Sequence, residues 1–172
     1  MIPLRKIATA LALTFGLLQS GHAMAGTTVQ VSLWDNGDHA MDMLDKAKPM
    51  AMGMMRQMMM SGDMKMGAMG ITASLAEVPA GEVTFTVTND SKGMIHEMIL
   101  SPVKDETASL PYVIDEMRVD EEAAGHLGEV AELDPGKSGT LTLNLEPGNY
   151  LLFCNIPGHY ALGMWTLVTV TP

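Results

Sequence analysis

Polar and apolar residues alternate over residues 27–34, with Val29, Val31 and Leu33 on one face, the period of a strand buried on one side. The alternation stops at the stretch 41–69, in which 12 of 29 positions are Met, separated by Gly, Ala, Lys and one Pro, with no aromatic and no β-branched residue. Strand signals return at Ile71. Residues 71–78, the turn Pro79-Ala80-Gly81 and residues 82–88 read as a hairpin with Val83, Phe85 and Val87 pointing inward. Further strands are predicted at 94–100, 129–133, 140–145, 150–153 and 162–170, with turns at Asp134-Pro135-Gly136 and Glu146-Pro147-Gly148-Asn149. Residues 101–128 are acidic and irregular, with a helical piece expected around 115–124. Short strands punctuated by Gly and Pro turns predict an all-β, antiparallel β-sandwich with a flexible Met-rich insertion after its first strand.

At the N-terminus Arg5 and Lys6 precede an apolar run over 7–18, and Ala23-Met24-Ala25 then supplies small residues of the kind signal peptidase cleaves after. This predicts a signal peptide over residues 1–25 and a mature domain over 26–172, interrupted by the Met-rich segment at about 38–70. The apolar run is too short to span a hydrocarbon layer of roughly 30 Å, so no membrane span is expected after cleavage. An exported, soluble, periplasmic protein follows. The 172 residues carry 20 Asp plus Glu against 10 Lys plus Arg, a net charge of −10, which argues against a nucleic-acid partner. The length suits one modest domain, and a 47% hydrophobic content can supply its core.

Export gives Cys154, the one Cys in the sequence, a particular meaning. It cannot form an intramolecular disulfide, and in an oxidising compartment it is either buried as a small apolar group or occupied by a metal. The stretch Cys154-Asn-Ile-Pro-Gly-His159-Tyr-Ala-Leu-Gly-Met164 puts a thiolate, an imidazole and a thioether in one loop between two strands. That set is soft to borderline and selects copper over calcium or magnesium. A Cys, two His and a weak axial Met make a blue-copper site, so a second His is required. His96, just past the loop that follows the first hairpin, is the leading candidate. His126, in the acidic connection, is the competitor, for which a solvated role is the plainer reading.

The segment Leu152-Phe-Cys-Asn-Ile-Pro-Gly-His-Tyr-Ala-Leu-Gly-Met-Trp, with Val83-Thr-Phe-Thr-Val-Thr-Asn and then His96 upstream, resembles the cupredoxin family. The resemblance covers residues 71–172 and the strand at 27–34. It implies a Greek-key β-sandwich holding one type 1 copper through His96, Cys154, His159 and, axially, Met164. It also implies a docking patch for a redox or copper-transfer partner around His159, near Pro157, Tyr160, Ala161 and Leu162, unless those side chains serve only to pack the loop against the sandwich. In many blue cupredoxins the residue after the first His ligand is an Asn whose side chain braces the Cys loop. Here that residue is Glu97, so colour and potential do not carry over.

Four His remain after cleavage (His39, His96, His126 and His159), too few for a multicopper oxidase, and no catalytic residues are expected. Thioethers bind Cu(I) without deprotonation, so the Met-rich stretch suits additional Cu(I), with His39 as a candidate nitrogen ligand. Against a packed amphipathic helix, Met54-Met55 and Met58-Met59-Met60 run round the axis, and Gly53, Gly62, Gly67 and Gly70 weaken it. With its Met-rich insertion the chain resembles periplasmic cupredoxins of copper tolerance. The sequence therefore predicts a protein that binds, buffers or delivers copper, with a diffusible one-electron carrier as the alternative; a nitrite-reductase-type enzyme would need a second copper centre, for which the chain has no ligands.

Overall fold

The computed structural model describes residues 26–37, 39–42, 44, 48–51, 54, 57, 68–105 and 107–172. The expected signal peptide and most of the Met-rich stretch lie outside the described residues.

Two sheets face each other. One runs in the order β2 (Met69–Ala73), β1 (Thr27–Asp35), β4 (Gly81–Asn89) and β9 (Ser138–Leu145). The other runs β3 (Glu77–Pro79), β11 (Trp165–Thr171), β10 (Gly148–Phe153), β5 (His96–Pro102) and β8 (Gly128–Leu133). Val29, Val31 and Leu33 of β1 and Val83, Phe85 and Val87 of β4 are all buried between the sheets, as their alternation requires. Truncating a core ring such as Phe85 to Ala would cost about 3–5 kcal/mol. A small third sheet, β6 (Tyr112–Val113) with β7 (Arg118–Val119), and a one-turn helix, α1 (Glu121–Ala124), occupy the acidic connection.

The β-sandwich expected from the sequence is present, with differences in its wiring. The hairpin expected over 71–88 does not form. β1 lies between β2 and β4, antiparallel to the first and parallel to the second, while β3 joins the other sheet, parallel to β11. Alternation fixes which face a strand buries and leaves its partner open. At Pro79-Ala80-Gly81 the chain crosses between sheets instead of reversing, with Gly81 at φ 121 and the Ala80 N–H donated to Thr171 O at 2.7 Å. The helix expected around 115–124 shrinks to α1, because Asp120 caps it at its start and Gly125, at φ 68, ends it. β11 begins at Trp165, since residues 162–164 are held in the preceding loop.

Candidate metal centre

Three side chains meet at one end of the sandwich. Ligand atoms of His96, Cys154 and His159 all lie within 4.8 Å of one another, and all three residues are buried. His96 Nδ1 is 3.2 Å from His159 Nδ1, which is in turn 3.4 Å from Cys154 Sγ. Met164 is fully buried beside them in sequence and joined to both other loop ligands through the backbone. Its N–H donates to His159 O, and its carbonyl accepts from the Cys154 N–H, each at 3.0 Å. Residues 154–164 are thus a closed loop stitched by further turn bonds from His159 N to Ile156 O and from Leu162 N to Gly158 O.

His96 opens β5, and its approach is fixed by Asn89. The Asn89 amide donates to Met94 O and Leu133 O, while its oxygen accepts from Ser91 N. Pairing of β5 with β8 then slips between His96 and Met98. β5 is nevertheless covered on both faces, with Met98 and Leu100 in the core between the sheets and Ile99 in a second cluster with Val119 and Ala124 of the acidic connection, so Glu97 is buried although it alternates with His96 and Met98.

Glu97 has a task in that position. One carboxylate oxygen accepts the backbone N–H of Asn155 at 3.1 Å, so an acid braces the Cys loop where the family commonly uses Asn. Asn155 is locked from its other side by β7. Its Oδ1 accepts from Val119 N at 2.6 Å, and its amide donates to Val119 O and to Glu121. The turn before β7 contributes as well. Met117, at φ 54, presents its carbonyl to the Gly158 N–H at 2.8 Å.

Burial decides the charge states. Desolvation, aided by the nearby His96, pulls His159 down to about 4, so its imidazole is neutral near pH 7. Desolvation lowers His96 too, opposed by its hydrogen bond to Asp35. The Cys154 thiol is pushed up to about 12 by desolvation, against the pull of the Glu97 and Ile156 backbone N–H groups. Glu97 rises to about 7, chiefly by desolvation and secondarily through Glu121 and Glu129, despite the Asn155 N–H.

The donor set fits copper: two neutral imidazoles, a thiol able to become a thiolate, and a thioether, with no carboxylate among them. His126 is exposed just past the end of α1 and is not part of the cluster. His39 is exposed and bonded to Asp42 at 2.9 Å. Two contributors had no signal in the sequence. Asp35 lay just past the strand expected over 27–34, yet its carboxylate meets His96 Nε2 at 3.0 Å across 61 positions. Leu44, inside the Met-rich stretch, packs over Gly158, where a Cβ would lie 2.5 Å from Leu44 Cδ1.

His159 is 3% exposed, and Pro157 and Ala161 beside it are partly exposed. Among the described residues no helix is long and apolar enough to cross a membrane.

Residues 57–171 match the family described as copper binding proteins, plastocyanin/azurin family. A stretch of 47 residues, 27% of this chain, is 47% identical to auracyanin-B of Chloroflexus aurantiacus and spans one fifth (20%) of that relative's length. The fold is similar to a solved structure of auracyanin B, with TM-score 0.51 and 23% identity over 87% of this chain and 92% of that one. It is likewise similar to rusticyanin from Thiobacillus ferrooxidans, with TM-score 0.50 and 19% identity over 86% and 79% of the two chains.

Proposed function

The chain belongs to the plastocyanin/azurin family of copper-binding proteins, and from that premise we propose that it binds and buffers periplasmic copper in copper tolerance. In this reading His96, Cys154, His159 and Met164 would hold one copper, while the Met-rich stretch collects Cu(I). Bound copper supplies a one-electron Cu(II)/Cu(I) couple. The residues' part is to hold two neutral imidazoles and one sulfur in a buried, braced frame that need not rearrange between the two states.

One observation carries the reading beyond copper binding itself: where the Met-rich stretch leaves and rejoins the fold. Asp35 pairs with Met69 across β1 and β2, and Asn36 N–H donates to Ala68 O at 2.9 Å. The same Asp35 touches His96. Both ends of a segment rich in thioethers therefore open beside the first proposed ligand. Leu44 and Met50, from within it, pack against the fold near the copper loop.

Because Met41, Leu44, Met50 and Met69 pack into the sandwich, excising 41–69 whole would disturb the fold. The cleaner test replaces Met with Leu at positions 52, 54, 55, 58, 59, 60, 64 and 66, which removes eight thioethers at nearly constant volume. Cu(II) colour is expected to persist, Cu(I) stoichiometry to fall by more than one ion per chain, and cellular copper tolerance to drop. Unchanged Cu(I) stoichiometry would favour the second reading, a diffusible one-electron carrier. That alternative is supported by the rigid frame and by Ile114 and Met117, exposed apolar residues on the turn bonded to the copper loop, which suit a docking redox partner near His159.

A further inference from the structure

Asp35 closes β1 with its side chain only 2% exposed, against a His96 side chain with no exposure at all. Its two carboxylate oxygens have separate partners. Oδ1 accepts the Gly37 N–H at 2.6 Å, and Oδ2 lies 3.0 Å from His96 Nε2. A carboxylate oxygen only accepts, so His96 must present Nε2–H to it. The other ring nitrogen, Nδ1, then carries the free lone pair, and Nδ1 is the atom that faces His159 and the cluster.

We infer that Asp35 is a positioning residue for the copper couple: it fixes His96 in the ligating tautomer and biases the site toward Cu(II). This rests on the reading that His96 ligates copper. A buried anion hydrogen-bonded to a ligating imidazole makes that ligand more basic. It also favours the more highly charged metal state, because opposite charges attract strongly where water is excluded.

Only a carboxylate can fill both contacts at once. An Asn at 35 offers one oxygen and one NH2, so it must aim a donor either at Gly37 N–H or at His96 Nε2–H. The strain is relieved if His96 turns over to its Nδ1–H tautomer, which removes the lone pair from the site. Asp35→Ala leaves Nε2–H without a partner but presents no opposing donor. The two variants therefore separate tautomer control from loss of charge.

The test measures three quantities on the full-length mature protein. They are the 15N shifts of His96 in the copper-free state, Cu(II) and Cu(I) affinities by competition, and the reduction potential by film voltammetry. Asp35→Asn is expected to populate the Nδ1–H tautomer and to weaken Cu(II) at least tenfold relative to Cu(I). For a one-electron couple that tenfold corresponds to a potential 59 mV higher. Asp35→Ala should raise the potential without enriching the Nδ1–H tautomer. Asp42→Asn, which removes the exposed carboxylate beside His39, should change none of the three. If Asp35→Asn and Asp35→Ala both keep the wild-type affinity ratio while the wild type is blue, the inference about Asp35 is overturned and copper ligation stands. A wild type without any thiolate-to-copper band overturns both.

Discussion

Glu97 accepts the backbone N–H of Asn155 at 3.1 Å, so the residue following one proposed ligand holds the residue following another. The bond fastens β5 to the Cys loop across the end of the sandwich. It comes from a buried carboxyl whose folded value is raised from 4.5 to about 7.

The sign of that shift makes a pH-dependent stability. A carboxyl with a raised folded value binds more protons folded than unfolded between about pH 4.5 and 7, so its contribution is present below 4.5 and is lost as pH rises through 7. His159, lowered to about 4, acts in the opposite sense as pH falls below 6.5. Comparing copper-free wild type with Glu97→Gln cancels the His159 contribution. The wild type should lose on the order of 2 kcal/mol relative to the variant between pH 4.5 and 7, allowing for residual water at the carboxyl. Urea midpoints across that range check this, and parallel curves for the two proteins would refute it.

Copper uptake should release a proton. The copper-free thiol of Cys154, pushed up to about 12 and with no exposed surface, is fully protonated at pH 7.5, whereas a metal ligand must be a thiolate. Calorimetric titration with Cu(II) in buffers of different ionisation enthalpy should give about one proton released per copper. The same burial predicts that iodoacetamide alkylates the folded copper-free protein far more slowly than the urea-unfolded chain.

The two sulfurs of the loop should behave differently. Cys154→Ser is expected to abolish the intense thiolate-to-copper absorption of the Cu(II) protein. Met164→Leu should leave copper bound and shift both spectrum and potential, since it removes a weak axial donor and leaves the two imidazoles and the thiolate in place. Retained colour in the Cys154 variant would refute its role as a ligand.

Gly158 is a second point of leverage. Its φ of 85 disfavours any side chain, and an added Cβ would also push aside the tip of Leu44. Gly158→Ala should cost about 1–2 kcal/mol for the left-handed backbone, with a smaller addition for the collision, since the flexible Leu44 tip can move aside. Gly136→Ala, at φ 73 with nothing within 4 Å of the added Cβ, should show the first effect alone. Adding Leu44→Ala to Gly158→Ala should recover the collision part. Thermal melts of the four proteins measure each step.

How much of this was legible beforehand varies by element. The loop from Cys154 to Met164 could be read because its residues are close in sequence and their chemistry is shared. His96 followed from the need for a second imidazole near a strand start. The faces of β1 and β4 followed from period-2 alternation, and their parallel pairing did not, because alternation carries no information about neighbours. β6 and β7 were missed because two-residue strands leave almost no periodic trace. Asp35 was invisible for a different reason: its contact with His96 exists only after two sheets have closed on each other. Glu97 was noticed as a departure, and its burial could not be deduced, because that face of β5 is covered by parts of the acidic connection, Val119 and Ala124 among them.

The pinned mouth of the Met-rich segment has a consequence for how the chain can vary. Asp35 opposite Met69 and the Asn36–Ala68 bond close that loop whatever lies between them. None of these four residues is among the eight positions replaced in the Met-to-Leu test, so the closure does not depend on those thioethers. The number of thioethers is a quantity that selection, or an engineer, can change almost independently of folding.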